Sequence, residues 1–403
     1  MNKEEFFKDS RSDRTGPLDG MLVVEATTTW AGPMVACLLG DYGARVIKIE
    51  HPSGDVLRRL PPMLPDSSLT VLDQTVNRNK ENITLDLHNP EGVEIFLKLA
   101  AIADVVVENF KPGTMAGWGV GYEDVKAVKP DVVYVSVSAF GQYGTHSDRP
   151  GYDPIAQNYT GWTSLNGDPD GEAVKAPTFL GDDLAGIHGA LGALAALRHR
   201  DATGEGQHID VSLVDSLLYH SNGNLTSGAL GLDQPRLGNQ FSIAAPVDNY
   251  ACKDGVALAG VLLDSHWETL SKLLGREDLS VLKIPDRLLR RDELNEMLSA
   301  WCAERTVAEV EETLMAENLI VTKVNSFSDT AKEQHIKDRG MLQNVKMVNG
   351  NEAPITTSAN KFSRTPTSIR SPAPAIGEHT ERILDELGYS PDDKRRLIDS
   401  KVV

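Results

Sequence analysis

The chain has 403 residues, of which 40% are hydrophobic and 24% charged, a balance typical of a globular protein with room for two domains. Its formal net charge of -18 argues against binding to nucleic acid or to an anionic membrane, because both need a basic surface. No apolar run approaches the roughly eighteen residues of a membrane span, and the start lacks the apolar segment of a secretory signal. We therefore expect a cytoplasmic protein.

From Gly20 onward, short β-branched runs alternate with amphipathic helical segments. The strand-like runs are MLVVEAT, ARVIKIE, ITLDL, DVVVENF and DVVYVSVSAFG, and the helical segments between them include MVACLLGDYG and NPEGVEIFLKLAAIA. This alternation predicts an α/β fold with a Rossmann-like parallel sheet that is covered by helices on both faces. The turn after the first run, ATTTWAGP, lacks G-x-G-x-x-G, so a dinucleotide is not the expected ligand.

The character of the chain changes at about residue 230. YACKDGVALAGVLLDSHWETLSKLL predicts a hairpin followed by a helix, and RDELNEMLSAWCAERTVAEVEETLMAENL predicts a helical pair. We expect a smaller α+β domain here, and a C-terminal helix in GEHTERILDELGY that packs back on the large domain. The predicted boundaries are a flexible leader at 1–16, a large domain at 17–228 and 342–403, and a small domain at 229–341.

Metal and hydrolase signatures are missing from the sequence. The three cysteines, Cys37, Cys252 and Cys302, form no C-x-x-C pair, and the ten histidines show no ligand spacing. Neither a G-x-S-x-G elbow nor HExxH occurs. We therefore expect no metal site and no disulfide framework, and the search for chemistry narrows to acids and to phosphate-binding turns.

Two adjacent acids, Asp182 and Asp183, stand in GDDLAG ahead of a run of Ala, Gly and Leu that predicts a long helix. The run is interrupted by Gly186, Gly189 and Gly192. The amides at a helix N-terminus favour an ionised carboxylate. The residues alone leave two roles open for this pair of acids, namely capping of the helix and presentation of a carboxylate to a substrate.

Two polar clusters adjoin the predicted sheet, one in VNRNKENITLD before a strand and one in ENFKPG at the end of another. Their donors are Asn77, Arg78, Asn79, Lys80, Asn109 and Lys111. Such donors suit phosphate oxygens, and α/β sheets bind ligands at the carboxyl ends of their strands. We expect both clusters at that edge of the sheet or in neighbouring turns, although a solvated turn is the alternative for any single lysine.

Nine segments spread over nearly the whole chain occur together in a recognisable order. They are GPLDGMLVVEAT, AGPMVACLLGDYGARVIKIEHPSGD, NRNKENITLDL, DVVVENFKPG, SAFGQYG, GYDPIAQNYTG, GDDLAG, TGEGQHIDVSLVD and GEHTERILDELGY. In this combination the chain resembles the class III coenzyme A-transferase family, the CaiB/BaiF type, which contains formyl-CoA transferase and the carnitine and bile-acid CoA-transferases.

The resemblance implies an interlocked homodimer whose subunits each have a Rossmann-like large domain, built from both ends of the chain, and a smaller domain. It implies an enzyme that moves CoA from an acyl-CoA donor to a carboxylic acid acceptor, with the CoA thioester as substrate and no tightly bound cofactor. The family's catalytic aspartate falls on Asp182, four residues before Gly186, and would form an aspartyl-CoA thioester. Asp183 is then expected to be the helix cap or a bystander.

The family's CoA contacts carry over onto Asn77, Arg78, Asn79, Lys80, Asn109, Phe110 and Lys111. Thr28, Trp30 and His51 stand where formyl-CoA transferase has His, Gln and Arg, so we expect a medium or larger acid, with Trp30 either near the pocket or packed under the sheet. The alternative is an α-methylacyl-CoA racemase. It needs a histidine where this chain has Tyr152, and a phenol with a pKa of about 10 is a poor base near neutrality.

Overall fold

Six parallel strands form the central sheet. In chain order they are β1 Leu22–Ala26, β2 Arg45–Glu50, β3 Lys80–Thr84, β4 Val105–Glu108, β5 Val133–Ser138 and β6 Gln207–Ser212. They lie side by side in the order β3-β2-β1-β4-β5-β6, and every neighbouring pair is parallel. The predicted alternation is confirmed, since each strand-like run of the sequence contains or overlaps one of these strands.

Helices cover both faces of this sheet in the computed structural model, which describes residues 1–403. The helices up to residue 229 are α1 Lys3–Phe6, α2 Ala31–Asp41, α3 Val71–Val76, α4 Pro90–Ala100, α5 Thr114–Gly117, α6 Tyr122–Val128, α7 Asp153–Tyr159, α8 Trp162–Leu165, α9 Leu180–Thr203, α10 Leu213–Tyr219 and α11 Asn224–Ala229, with a 3-10 turn at Val56–Arg59. Successive strand residues point to opposite faces. Val105 therefore packs with α2 and α9, while Val106 packs with α4 and α6.

The chain divides into two units, each with its own core. The first comprises Met1–Trp162, Lys175–Thr226 and His335–Val403, and the second comprises Thr163–Val174 and Ser227–Gln334. The second unit holds an antiparallel sheet of β7 Val247–Ala251, β8 Val256–Gly260 and β9 Ile320–Lys323, with helices α12 Asp264–Leu273, α13 Ile284–Leu289, α14 Arg291–Ala303, α15 Val307–Ala316 and α16 Phe327–Thr330 and a 3-10 turn at Glu277–Leu279. The predicted hairpin, the helix after it and the helical pair are confirmed.

The C-terminal segment contains α17 Gln334–Asp338, the hairpin β10 Leu342–Lys346 and β11 Glu352–Thr356, and the helices α18 Thr380–Glu386 and α19 Pro391–Asp399. Ile383, Leu384 and Leu397 are buried in the same core as strand residues Val24 and Ile47. The predicted return of the chain end to the large domain is confirmed. No helix of the structure has both the length and the apolar character that a membrane crossing would need.

Helices α2 and α9 approach closely because α9 presents glycines to α2. A Cβ atom on Gly186 would lie 2.5 Å from Met34 Cγ, and one on Gly189 would lie 2.6 Å from Val35 Cγ2. Both clashes involve atoms near the backbone of α2, so any larger residue would push the helices apart. Asp182 lies one turn before Gly186, and the helical repeat therefore places it on the same stripe.

Candidate active site

The strand order reverses between β1 and β4, so the carboxyl ends of these two strands form the switch point at which open α/β sheets bind their ligands. Strand β1 continues into residues 27–30, and β4 continues into residues 109–111. The side chain of Asn109 joins the two exits. Its Oδ1 accepts the N–H of Thr28 at 2.8 Å, and its Nδ2 donates to the Thr28 carbonyl at 2.7 Å.

The turn after β1 is held in an unfavourable conformation. Thr29 has a φ of 60°, a left-handed value that is strained for a β-branched residue. Its N–H donates to Asp55 Oδ2 at 3.1 Å, which stabilises this conformation. Gly32 lets the start of α2 lie against the neighbouring exit, since a Cβ there would be 2.8 Å from the Asn109 side chain.

Asp182 lies in the first turn of α9, is half-buried and accepts no hydrogen bond from the protein. Burial raises the pKa of its carboxyl group to about 7, and the nearby Asp153 and Asp183 add to this effect. The positive end of the α9 dipole acts in the opposite direction. This carboxyl group therefore changes charge near neutral pH.

Asp153, the first residue of α7, fixes the start of α9. Its Oδ1 accepts the N–H of Gly181 at 2.7 Å, and its Oδ2 accepts a bond from Gln157 Nε2 at 2.7 Å. Gln157 Oε1 in turn accepts the N–H of Ala176 at 2.8 Å. Neither of these two buried side chains was predicted from the sequence. An acid and an amide four residues apart, one helical turn, in GYDPIAQ were the available signal.

Asp183 binds the indole of Trp30, whose Nε1 donates to Asp183 Oδ1 at 2.7 Å. Of the two roles expected for Asp183, helix cap or bystander, the cap is wrong. The helix begins at Leu180 rather than after the acids, and the residue before it, Phe179, makes no side-chain capping bond. The rings of Trp30 and Phe179 meet edge to face with centroids 5.4 Å apart. Trp30 thus lies beside the pair of acids.

Residues 77–80 lie at the amino end of β3, because the strand begins at Lys80. Residues 109–111 follow the carboxyl end of β4. Since all six strands are parallel, the two polar clusters are at opposite edges of the sheet. Of the two placements expected for residues 77–80, the carboxyl edge or a neighbouring turn, the carboxyl edge is wrong, because these residues form a turn at the amino edge.

The side chains of these four residues are buried and bind protein groups. Lys80 Nζ lies 2.8 Å from Glu25 Oε2 and donates to the Pro33 carbonyl at 2.9 Å. Lys80 Nζ also donates to Asn77 Oδ1 at 2.9 Å. Arg78 Nη2 donates to Asp41 Oδ2 at 2.6 Å, and Asn79 Nδ2 donates to Asp41 Oδ1 at 2.9 Å. Their contact with CoA stays a prediction.

The second cluster is more accessible. Lys111 is exposed and forms no ion pair, whereas Phe110 is half-buried and packs edge to face on Trp118 with ring centroids 5.0 Å apart. Asn109 is engaged with the Thr28 turn, as described above. Lys111 therefore leaves a free positive charge beyond the end of β4. Elsewhere, His51 is exposed and bonds Ser53 at 2.7 Å through Nδ1, and Tyr152 is also exposed.

The strand order, together with an acid of raised pKa beyond the sheet's carboxyl edge, is typical of an α/β enzyme. The family can be stated as well. The chain belongs to CoA-transferase family III, whose family model matches residues 18–380. The resemblance recognised in the sequence is confirmed, and the protein is a class III CoA-transferase.

Relatives of known activity are similar over nearly their whole length. The chain is 36% identical to the succinyl-CoA–L-malate CoA-transferase beta subunit of Chloroflexus aurantiacus, with 96% of this chain and 98% of the relative covered. It is 34% identical to the succinyl-CoA:mesaconate CoA-transferase of Haloarcula hispanica, with 94% and 98% covered. The crystal structure of a CAIB/BAIF family protein from Brucella suis matches with a TM-score of 0.83 and 31% identity, covering 93% of this chain and 100% of that one.

Proposed function

We propose that this enzyme transfers CoA from succinyl-CoA to a medium-sized dicarboxylic acid, with Asp182 as the nucleophile. The names of two similar enzymes, which pair succinyl-CoA with malate or mesaconate, support this donor and this class of acceptor. One observation carries the choice of Asp182. Of the three neighbouring acids, Asp153 and Asp183 accept hydrogen bonds, whereas Asp182 accepts none from the protein. Its lone pairs are free to attack.

In the first step, the ionised carboxylate of Asp182 attacks the thioester carbonyl of the donor. A new C–O bond forms, the C–S bond breaks, and CoA leaves as a thiolate, so that the donor acyl group and Asp182 share a mixed anhydride. A carboxylate whose pKa is raised is more basic than one in water, and a more basic group of the same kind is the better nucleophile.

In the second step, the CoA thiolate attacks the Asp182 carbonyl of the anhydride. The bond between Asp182 Cγ and the bridging oxygen breaks, succinate leaves as a carboxylate with that oxygen, and Asp182 carries CoA as a thioester. The acceptor carboxylate then attacks this thioester, and the same two steps run in reverse. No proton has to be exchanged with solvent in either direction.

We place the phosphates of CoA near Lys111, whose charge is exposed and unpaired at the carboxyl edge. Lys80 would act beneath the site instead, since its ammonium group binds Pro33 in the first turn of α2. The domain roles follow the resemblance, with CoA bound by the large domain.

The proposal includes an interlocked homodimer in the cytoplasm. Ile187 and Leu191, one turn apart on α9, expose 49% and 59% of their surfaces, and both border an apolar groove that also contains Leu18 and Phe362. Apolar surface of this kind favours a covered state. Light scattering on the protein purified alone should give twice the chain mass. A measured mass of one chain would contradict the dimer but would leave the proposed chemistry unaffected.

The test of the function is a panel of acceptors. Succinyl-CoA is mixed with the enzyme and malate, mesaconate, glutarate, carnitine or an aryl acid in deuterated water, and the products are analysed by mass spectrometry. We expect CoA transfer to dicarboxylates without deuterium at the α-carbon. Deuterium exchange in a 2-methylacyl-CoA with no transfer to any acid would replace the proposal with a racemase.

The test of the nucleophile is chemical trapping. After incubation with succinyl-CoA alone, borohydride or hydroxylamine should modify the peptide that contains Asp182. Asp182→Asn should lose both the adduct and turnover. Asp201→Asn, which removes an exposed acid near the other end of the same helix, is the matched control and should keep both. Full turnover in Asp182→Asn would contradict the assignment.

A further inference from the structure

We propose that Asp183 is a positioning residue that fixes Trp30 as a wall beside Asp182, and that this wall keeps water from the aspartyl-CoA intermediate. The inference rests on the proposed transfer through Asp182. The wall consists of the indole of Trp30 and the phenyl ring of Phe179.

The indole is fixed at both of its ends. At the ring, Nε1 donates to Asp183 Oδ1 at 2.7 Å, a charge-assisted bond when the acid is ionised. At the backbone, Trp30 ends the turn after β1 and immediately precedes α2. The bond joins residues 153 positions apart in sequence, so it ties the start of α2 to the start of α9.

The turn that carries Trp30 is itself held by neighbouring elements. Thr29 adopts a strained φ of 60° and bonds Asp55, while Thr28 makes two bonds with Asn109. A strained β-branched residue persists only where its surroundings determine its conformation, and such residues cluster at functional sites. These contacts leave the Trp30 side chain little freedom.

Phe179 extends the aromatic surface toward the acids. It immediately precedes α9, three positions before Asp182, and its ring meets that of Trp30 edge to face at 5.4 Å. Rings in this arrangement present a continuous apolar surface. The two adjacent acids therefore have different roles. Asp183 accepts the indole N–H of the wall, whereas the lone pairs of Asp182 remain available to the substrate.

The intermediate needs protection because water can take the place of the acceptor. Water that attacks the Asp182 thioester carbonyl forms a C–O bond, breaks the C–S bond and regenerates the Asp182 carboxylate, with release of CoA thiol and one proton. This reaction consumes the donor thioester without transferring CoA to the acceptor. A rigid apolar wall beside Asp182 excludes the water that would cause it.

The experiment measures how the intermediate partitions between transfer and hydrolysis. The full-length enzyme is supplied with succinyl-CoA and one dicarboxylate at about pH 8.5, above the pKa of about 7 of Asp182 in the wild type. Free CoA is followed with a thiol reagent and the new thioester by chromatography. After subtraction of the free CoA that is released without enzyme, the ratio of the two products does not depend on how much of the enzyme is folded.

We expect Asp183→Leu and Trp30→Phe, which each remove one half of the bond, to raise the ratio of hydrolysis to transfer about fivefold or more. Asp183→Asn keeps an oxygen that can accept the indole N–H and should restore a ratio close to that of the wild type. The inference is overturned if Asp183→Leu and Trp30→Phe only slow transfer at an unchanged ratio. It is also overturned if Asp183→Asn leaks as much as Asp183→Leu.

The failure of the proposed function would look different. If Asp182 is not the nucleophile, the wild-type enzyme gives no trapped Asp182 peptide with succinyl-CoA. If only the wall is wrong, trapping succeeds in the wild type and in all three variants, and the partition ratio stays constant.

Discussion

Asp182→Asn should abolish transfer and also make the folded protein more stable at pH 8. In the wild type, burial raises the pKa of this carboxyl group to about 7, whereas the unfolded chain has a value of about 3.9. The folded state therefore binds the proton more tightly, and stability falls as the pH rises from about 4 through 7. Asparagine is neutral at every pH and avoids this loss.

The difference in pKa is about three units, which corresponds to at most about 4 kcal/mol above pH 7. Asp182 is only half-buried, so screening by water reduces the expected gain to about 1–2 kcal/mol. At pH 5 the folded wild type is largely protonated at this site. The gain at pH 5 should therefore be smaller than the gain at pH 8.

The assay is thermal or urea unfolding of the wild type, Asp182→Asn and the control Asp201→Asn at pH 8 and pH 5. A gain of about 1–2 kcal/mol corresponds to a rise in Tm of a few degrees for a chain of this size. The control should show no gain at either pH, because its acid is exposed. An absence of stabilisation in Asp182→Asn at pH 8, or an equal gain at both pH values, would refute the reasoning.

Three further predictions concern the ionisation of Asp182, the contact between α9 and α2, and the two lysines. The transfer rate at saturating donor should rise about tenfold from pH 6 to pH 8 with a midpoint at about 7, since Asp182 must be ionised, and a rate independent of pH would contradict this. Gly186→Ala should lower the free energy of unfolding by about 1–2 kcal/mol through its clash with α2, whereas Gly117→Ala, which meets open space, should not. Lys111→Ala should weaken CoA binding in calorimetry and reduce the salt dependence of that binding. Lys80→Ala should lower the free energy of unfolding by about 3 kcal/mol, because it removes one buried cation that pairs with Glu25.

Local sequence was enough to predict the strands and helices of the sheet, because the β-branched runs and amphipathic segments carry their own periods. It also placed Lys111 at the carboxyl edge, since ENFKPG directly follows a strand. For residues 77–80, the sequence predicts the strand that follows them but leaves open whether they lie at the carboxyl edge of the sheet or in a neighbouring turn. Which edge a turn adjoins depends on the direction in which the chain enters the strand, and in a parallel sheet the turn before a strand lies at the amino edge.

Contacts between distant elements could not be predicted in the same way. The bonds of Trp30 with Asp183 and of Asp153 with Gly181 depend on the distance and rotation between helices. The glycine stripe of α9 sets that distance through its close approach to Met34. In the sequence alone, the three glycines indicate only interruptions of a helix.

In the proposed mechanism, the grouping of three acids in a chain that is already strongly negative accounts for the reactivity of Asp182. Asp153 is stabilised by Gly181 and Gln157, and Asp183 by Trp30, so both have donors that offset the cost of burying a charge. Burial without a donor of its own raises the pKa of Asp182 to about 7, and the charges of the other two acids add to this effect. Adding a donor to Asp182 would stabilise its charge and weaken it as a nucleophile. The two satisfied acids thus hold the third in place while leaving it basic, and this division of roles is a physical reason for keeping Asp153 and Asp183 beside it.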